Sequence, residues 1–250
     1  MTRKRILYID PVYDNSFLPF FKKELESVKY SQNDIDVISL GEHKKGPKHL
    51  EYSCYEIMIL PDLMKTILQA EKNGYDGVII GCFYDSGLRA AREITTEMIV
   101  TAPSEASFSI AKSLGENIAI IVGRDKTIPP IKRNIIEYGM ERHILTFKSV
   151  NLGVLEFQVN QQRTEDKILK AAKEAVEIDG ADVIILGCTA ELGFYQNLQK
   201  ELGVPVIDAS IAALKYAEFL ADVKELGWSH SKVYGFESPP ENEIKQFGLF

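Results

Sequence analysis

Apolar and polar positions along this chain alternate with two periods that take turns. Short apolar runs of the kind that make strands buried on both faces fall at residues 6–9, 36–40, 98–101, 118–122, 144–150 and 204–208. Between them lie stretches with apolar residues at helical spacing. Residues 16–28 put Phe17, Phe20, Phe21 and Leu25 on one face, and a segment ending near residue 72 does the same with Leu60, Leu63, Met64, Ile67 and Leu68. Further helical patterns begin near Ser86 and run over 104–114, 131–138, 164–178 (Ile168, Leu169, Ala172, Val176) and 210–220. Two more apolar runs end in Gly-Cys, and the chain is organised around them. Residues 73–88 read N-G-Y-D-G-V-I-I-G-C-F-Y-D-S-G-L, and residues 179–193 read D-G-A-D-V-I-I-L-G-C-T-A-E-L-G. Gly74, Asp76, Gly81 and Cys82 recur as Gly180, Asp182, Gly187 and Cys188, all 106 positions later. Each cysteine thus follows a buried strand at its carboxyl end, where open α/β sheets hold their ligands. A single cysteine there reads as a small core residue. Two at matched positions of a duplicated unit point to function.

The alternation fits eight βα units closed into a barrel as well as it fits open sheets. The duplication favours an α/β fold of two pseudo-symmetric halves, each a small parallel sheet flanked by helices, with the two Gly-Cys strand ends meeting in a shared cleft. A duplicated half-barrel is the competing architecture. Residues 41–54, polar and carrying Gly46-Pro47, read as a long loop, and residues 229–250, polar with Pro239-Pro240, read as a surface tail.

Composition narrows the partners. A hydrophobic share of 45% and a charged share of 26% are those of an ordinary globular protein. The net charge of −7, with no long basic block, argues against a nucleic-acid groove or an anionic membrane surface and leaves a small molecule as the partner. The N-terminal M-T-R-K-R-I-L-Y-I-D-P has an apolar run that stops at Asp10-Pro11, too short for a signal peptide, and no run approaches the length of a membrane span. Three widely separated cysteines then read as reduced thiols of a cytoplasmic protein. His43, His49 and Cys54 lie close together but fit no zinc spacing, and His143 and His230 have no evident sequence partner. No Gly-X-Gly-X-X-Gly or Gly-Lys-Ser/Thr is present. Neither a metal nor a nucleotide cofactor is implied.

Two cysteines on either side of a bound carbon acid can invert a stereocentre: a thiolate removes the proton on one face while a thiol supplies one on the other. Cysteine suits both roles because its reference pKa near 8.5 keeps both forms accessible close to neutral pH. Helix N-termini just after each cysteine, over 83–86 and 189–192, would lower the thiolate pKa and offer N–H groups to an enolate or carboxylate. A redox pair is the rival chemistry, but the Cys-X-X-Cys spacing of redox dithiols is absent.

The motifs resemble the aspartate/glutamate/hydantoin racemase superfamily, most closely its hydantoin racemase branch. They are G-P-K-H-L-E at 46–51, L-P-D-L at 60–63, G-Y-D-G-V-I-I-G-C-F-Y-D-S-G-L at 74–88, P-S-E-A at 103–106, T-I-P-P-I at 127–131 and L-G-C-T-A-E at 186–191, in the family's order across most of the chain. The resemblance implies a cofactor-independent racemase or epimerase with Cys82 and Cys188 as its two bases. It implies domains over 1–102 plus 209–250 and over 103–208, and assembly as a homo-oligomer. Two departures bear on the substrate. Asp10-Pro11-Val12 stands where hydantoin racemases read Asn-Pro-Asn, and Thr189-Ala190-Glu191 after the second cysteine is closer to the aspartate racemase branch. Both loops belong to the family's substrate pocket, so the substrate expected is a hydantoin-like or amino-acid-like carbon acid.

Several residues read two ways. Asp10 is either a turn former before Pro11 or an acid that orients or deprotonates a thiol. Ser104 is at least an N-cap, and it and Glu105 are candidate substrate contacts. Asp85 and Ser86 read as caps or as ligand contacts, and Thr189 as a turn residue or a donor to a substrate oxygen. Phe83 lies in the same turn as Cys82. Maleate isomerisation, arylmalonate-type decarboxylation and binding without turnover stand as alternatives. The decarboxylases resemble this chain less, because they keep only one of the two cysteines.

Overall fold

The computed structural model describes residues 2–41 and 45–248. Its elements run β1 (Arg5–Asp10), α1 (Leu18–Val28), β2 (Asp34–Ser39), α2 (Ser53–Lys72), β3 (Gly77–Ile80), α3 (Leu88–Ile94), β4 (Ile99–Thr101), α4 (Pro103–Ala111), β5 (Ile118–Val122), α5 (Ile128–Glu137), β6 (Ile144–Ser149), α6 (Gln161–Glu177), β7 (Val183–Leu186), α7 (Tyr195–Leu202), β8 (Val206–Asp208), α8 (Ala209–Val223) and α9 (Glu241–Gln246). The strands form two open sheets, ordered β2-β1-β3-β4 and β6-β5-β7-β8, with every pairing parallel. The barrel is thereby excluded, and the two pseudo-symmetric α/β halves stand. The second order repeats the first strand for strand, so the duplication seen in sequence is a duplication of topology. Among the described residues no helix is long and apolar enough to cross a membrane.

The central strands are fully buried because helices cover both faces of each sheet, which is why β3, β5 and β7 read as unbroken apolar runs instead of alternating ones. The conserved geometry of the repeat rests on Asp76 and Asp182. Asp76 Oδ2 accepts the Arg5 N–H at 2.8 Å, and Asp182 accepts those of Asn117 at 2.9 Å and Glu116 at 3.2 Å. Each carboxylate thus fastens the start of the neighbouring central strand. Its place in the repeat is structural.

The chain divides into two compact units, one comprising Met1–Gly81, Asp85–Ala102 and Leu214–Phe250, the other Cys82–Tyr84 and Pro103–Ala213. In the first, Glu218 of α8 is wholly buried and accepts from the Tyr30 N–H at 2.7 Å and Asn33 Nδ2 at 2.9 Å, tying α8 to the turn before β2.

Two expectations are corrected, and one helix goes beyond them. The loop after β2 ends earlier than residue 54, because α2 begins at Ser53; His43 of that stretch lies outside the described residues. Helix α7 has no counterpart in the sequence reading, since it buries only Leu198 and leaves too little apolar period to detect. The last stretch is more than a surface tail: it contains α9, buries Ile244, and supplies Gly235 O to Arg89 and His230 to β4.

The His230 contact covers an open edge. The Val100 N–H, on the outer strand β4, donates to His230 Nε2 at 3.0 Å. Burial, with Arg92 and Lys232 nearby, pushes the imidazole from its ordinary 6.5 down to about 4. A native pKa below the unfolded one means that docking is fully stabilising above about pH 6.5 and weakens as pH falls toward 4, by about 2 kcal/mol once partial exposure of the ring is allowed for. Trp228, the only tryptophan, stands two residues before His230 and serves as the probe. Its emission should shift between pH 6.5 and 4 in the wild type and stay flat in His230→Ala; a flat wild-type profile would rule out His230 as the latch.

Candidate active site

In both sheets the chain leaves the first central strand toward one side (β1 to β2, β5 to β6) and returns on the other (β3, β7), so the order reverses between β1 and β3 and between β5 and β7. That reversal opens a crevice at the carboxyl ends of the strands. Cys82 is the second residue after β3, and Cys188 the second after β7. The glycine before each continues the ladder by one bond: Gly81 N–H donates to Ile9 O at 2.8 Å, and Gly187 N–H to Ile121 O at 2.7 Å. Neither cysteine is in a disulfide, and both are half-buried.

The glycines are dictated by their neighbours. A Cβ on Gly81 would lie 2.5–2.7 Å from the Tyr8 ring, and one on Gly187 would lie 2.7 Å from both Ile120 Cγ2 and the backbone oxygen of Ile121. Gly187→Ala should therefore lower stability by about 3 kcal/mol, because the opposing carbonyl is held in the ladder and cannot yield. Urea unfolding of Gly187→Ala measures this; an unchanged midpoint would mean that the strand end relaxes freely.

Around the first crevice, Asp10 ends β1 opposite Gly81, one position beyond the Ile9 and Ile80 pair. Burial, reinforced by the charge of Asp14, raises its carboxyl from 3.8 to about 7. Pro11, next in the chain, is buried. Asp85 is buried with a left-handed φ of 52°, a strained conformation for a side chain other than glycine, and its carbonyl accepts from Leu88 N–H at the start of α3. Ser86 is buried and donates to Glu56 Oε1 at 2.9 Å.

Cys82, Phe83 and Tyr84 pack with the second unit. The Phe83 ring meets Phe108 edge to face at 5.9 Å, which fixes the turn that carries Cys82. Ser104 and Glu105 lie in the first turn of α4, Ser104 fully buried and Glu105 half-buried. Thr189 and Ala190 are half-buried, with Ala190 O accepting from Gln158 Nε2 at 2.9 Å. Glu191 is completely buried; its Oε2 accepts the Cys188 N–H at 3.1 Å, and its own N–H donates to Cys188 O at 3.0 Å. Asp208, at the end of β8, accepts from Gly193, Ser210 and Ile211 N–H groups and caps α8.

The helix N-termini expected after the cysteines differ in kind. A single 3-10 turn, Thr189–Glu191, follows Cys188, and no helix follows Cys82 before α3. The sequence reading also passes over Arg124 and Asn151, which with Gly153 and Glu156 line a polar recess of about 160 Å³ beyond β5 and β6. His49 sits beside Glu51, Tyr52 and Tyr55, and Cys54 is exposed on α2.

Two matched thiols beyond two matched switch strands define a duplicated α/β protein built to act on a small molecule. The comparison with known proteins is specific about which. The family profile described as Asp/Glu/Hydantoin racemase matches residues 23–217. The chain is 31% identical to a hydantoin racemase of Paenarthrobacter aurescens over 244 residues, covering 96% of this chain and 99% of that one. It is likewise 31% identical to a hydantoin racemase of Pseudomonas sp. (strain NS671) over 222 residues, 87% of each. The solved allantoin racemase from Klebsiella pneumoniae superposes with a TM-score of 0.87 at 26% identity, over 95% of this chain and 94% of that one. The chain belongs to the Asp/Glu/hydantoin racemase family, and it is an isomerase, a racemase.

Proposed function

We propose that the protein is a cofactor-independent racemase of 5-substituted hydantoins or the related ureide allantoin, with Cys82 and Cys188 as its acid and base. The observation that carries this reading is the recurrence of Gly-Cys just beyond the switch strand of each of two sheets of identical order. The substrate class is supported by relatives named hydantoin racemase that match over nearly their full length.

A hydantoin carries an acidic C–H between a ring nitrogen and a carbonyl. One thiolate takes that proton, and the electron pair moves into the carbonyl to give an enolate. The opposite thiol then returns a proton to the other face, leaving the first cysteine protonated and the second as thiolate. Asp10, at the β1 end of the first crevice, serves as a proton acceptor poised near neutrality. Pro11, Asp85 and Ser86 shape that loop, and Phe83 anchors the Cys82 turn. Ser104, Glu105, Thr189 and Ala190 offer hydroxyl, carboxylate and backbone groups to the ring's carbonyl and N–H positions.

Proton NMR in deuterium oxide tests the reading. Each enantiomer of 5-benzylhydantoin and of allantoin is incubated with the protein, and loss of the C5 proton signal should accompany decay of optical rotation. Binding without exchange for both compounds would overturn the assignment.

A further inference from the structure

Beyond its glycines, its cysteines and the Asp76/Asp182 pair, the duplicated unit also keeps an acid three residues after each cysteine, Asp85 after Cys82 and Glu191 after Cys188, again 106 positions apart. In the second copy its geometry is explicit. Glu191 has no exposed surface, its Oε2 accepts the Cys188 N–H at 3.1 Å, and the Glu191 N–H closes the same turn onto Cys188 O at 3.0 Å. Among the described residues Oε1 is buried and has no hydrogen-bond partner.

We propose that Glu191 is a positioning residue for Cys188, its carboxyl clamping the Cys188 amide so that the 3-10 turn stays wound and the thiol is presented at the β5/β7 crevice. The proposal rests on the two-cysteine reading above and deepens it. A carboxylate this deeply buried would be costly if charged. Burial, with Asp208 adding repulsion against the opposing pull of the Cys188 amide bond, raises the Glu191 pKa well above the ordinary carboxylate value. Burial thus favours the protonated form of the clamp. That matters chemically: a charged carboxylate three residues away would oppose formation of the Cys188 thiolate, whereas a neutral one holds the backbone without that cost. Glu191 accordingly leaves substrate contact to Thr189 and Ala190, which are half-buried where Glu191 has no exposed surface.

Glu191→Leu keeps the volume and removes the acceptor; Glu191→Gln keeps a neutral acceptor in the same place. With both 5-benzylhydantoin enantiomers, Glu191→Leu should lower kcat by about tenfold or more with KM within about twofold, and Glu191→Gln should restore kcat to within about threefold of wild type. In parallel, iodoacetamide labelling of Cys188 is followed against pH by peptide mass spectrometry, with Cys82 as internal reference. Its midpoint should rise by about half a unit or more in Glu191→Leu, as the turn N–H groups loosen from the thiolate, and match wild type in Glu191→Gln. Thermal unfolding of both variants checks that the fold is intact. If Gln is as damaging as Leu, the carboxyl acts in an ionised or substrate-binding role, and the proposal falls. It falls equally if Leu leaves the Cys188 labelling midpoint where it was. Should the wild type turn over no hydantoin, the substrate reading fails separately, and the labelling arm alone decides the role of Glu191.

Discussion

Cys82→Ser and Cys188→Ser are each expected to abolish racemisation, lowering kcat by about a thousandfold or more. A hydroxyl has far too high a pKa to ionise at neutral pH, and general acid–base groups contribute typically 10²–10⁴-fold. The two variants should fail in different ways. With one thiol left, the enantiomer whose proton faces it can still exchange with solvent without inversion. In deuterium oxide, each serine variant should therefore retain slow exchange of one enantiomer only, and the two variants should favour opposite ones. Both cysteines are half-buried and outside any disulfide, so serine fits without repacking, and loss of activity with an unchanged unfolding curve isolates the chemistry. Cys54→Ser, on the exposed face of α2, is the control that should behave as wild type. Full racemisation by either Cys82→Ser or Cys188→Ser would end the two-base mechanism.

Asp10→Asn should stabilise the protein at pH 8 while damaging its activity. The Asp10 carboxyl ionises near 3.8 in an unfolded chain and near 7 in the native one. Between those values the native state holds a proton that the unfolded state has lost, so the stability it confers is complete below about pH 4 and declines as pH rises through about 7. Roughly three pKa units at 1.36 kcal/mol each give about 4 kcal/mol, and about 3 kcal/mol is expected after relaxation around a partly accessible group. Asparagine removes the cost, so its advantage in urea unfolding should be largest at pH 8 and vanish toward pH 4. In the same variant kcat should drop by about tenfold or more, and an ionisation near pH 7 in the wild-type rate profile should disappear. Stability and turnover moving in opposite directions is the pattern of a strained functional group. An Asp10→Asn protein with no gain in stability would mean that Asp10 ionises normally, and its place in the mechanism would be lost with it.

Much of this was readable along the chain. The Gly-Cys repeat stands out because a duplicated unit copies its local constraints: Gly81 and Gly187 must leave room for Tyr8 and for Ile121 O, and Asp76 and Asp182 must hold the neighbouring strand starts. Asp85 and Glu191 were equally readable, since they share the offset, but one acid three residues past a thiol has no recognisable chemistry until its burial is known. Helix α7 escaped because its single buried residue, Leu198, carries no period. The tail looked polar because most of its side chains are; its contacts, among them those of His230, Gly235 and Ile244, fall at scattered positions that carry no period.

The sequence by itself determined the alternation of strand and helix, the duplication, the two thiols and the family, because all of these are written in local period or fixed spacing. Only the tertiary structure decided that the eight strands open into two sheets of matching order, since apolar runs of one length serve barrels and open sheets alike. It also decided which acids are perturbed. Asp10 gains its raised pKa from burial at the end of β1, and Glu191 from burial beneath Cys188 beside Asp208. A carboxyl's proton affinity is set by the solvent it loses and the charges it meets, and both are supplied by elements far away in the chain.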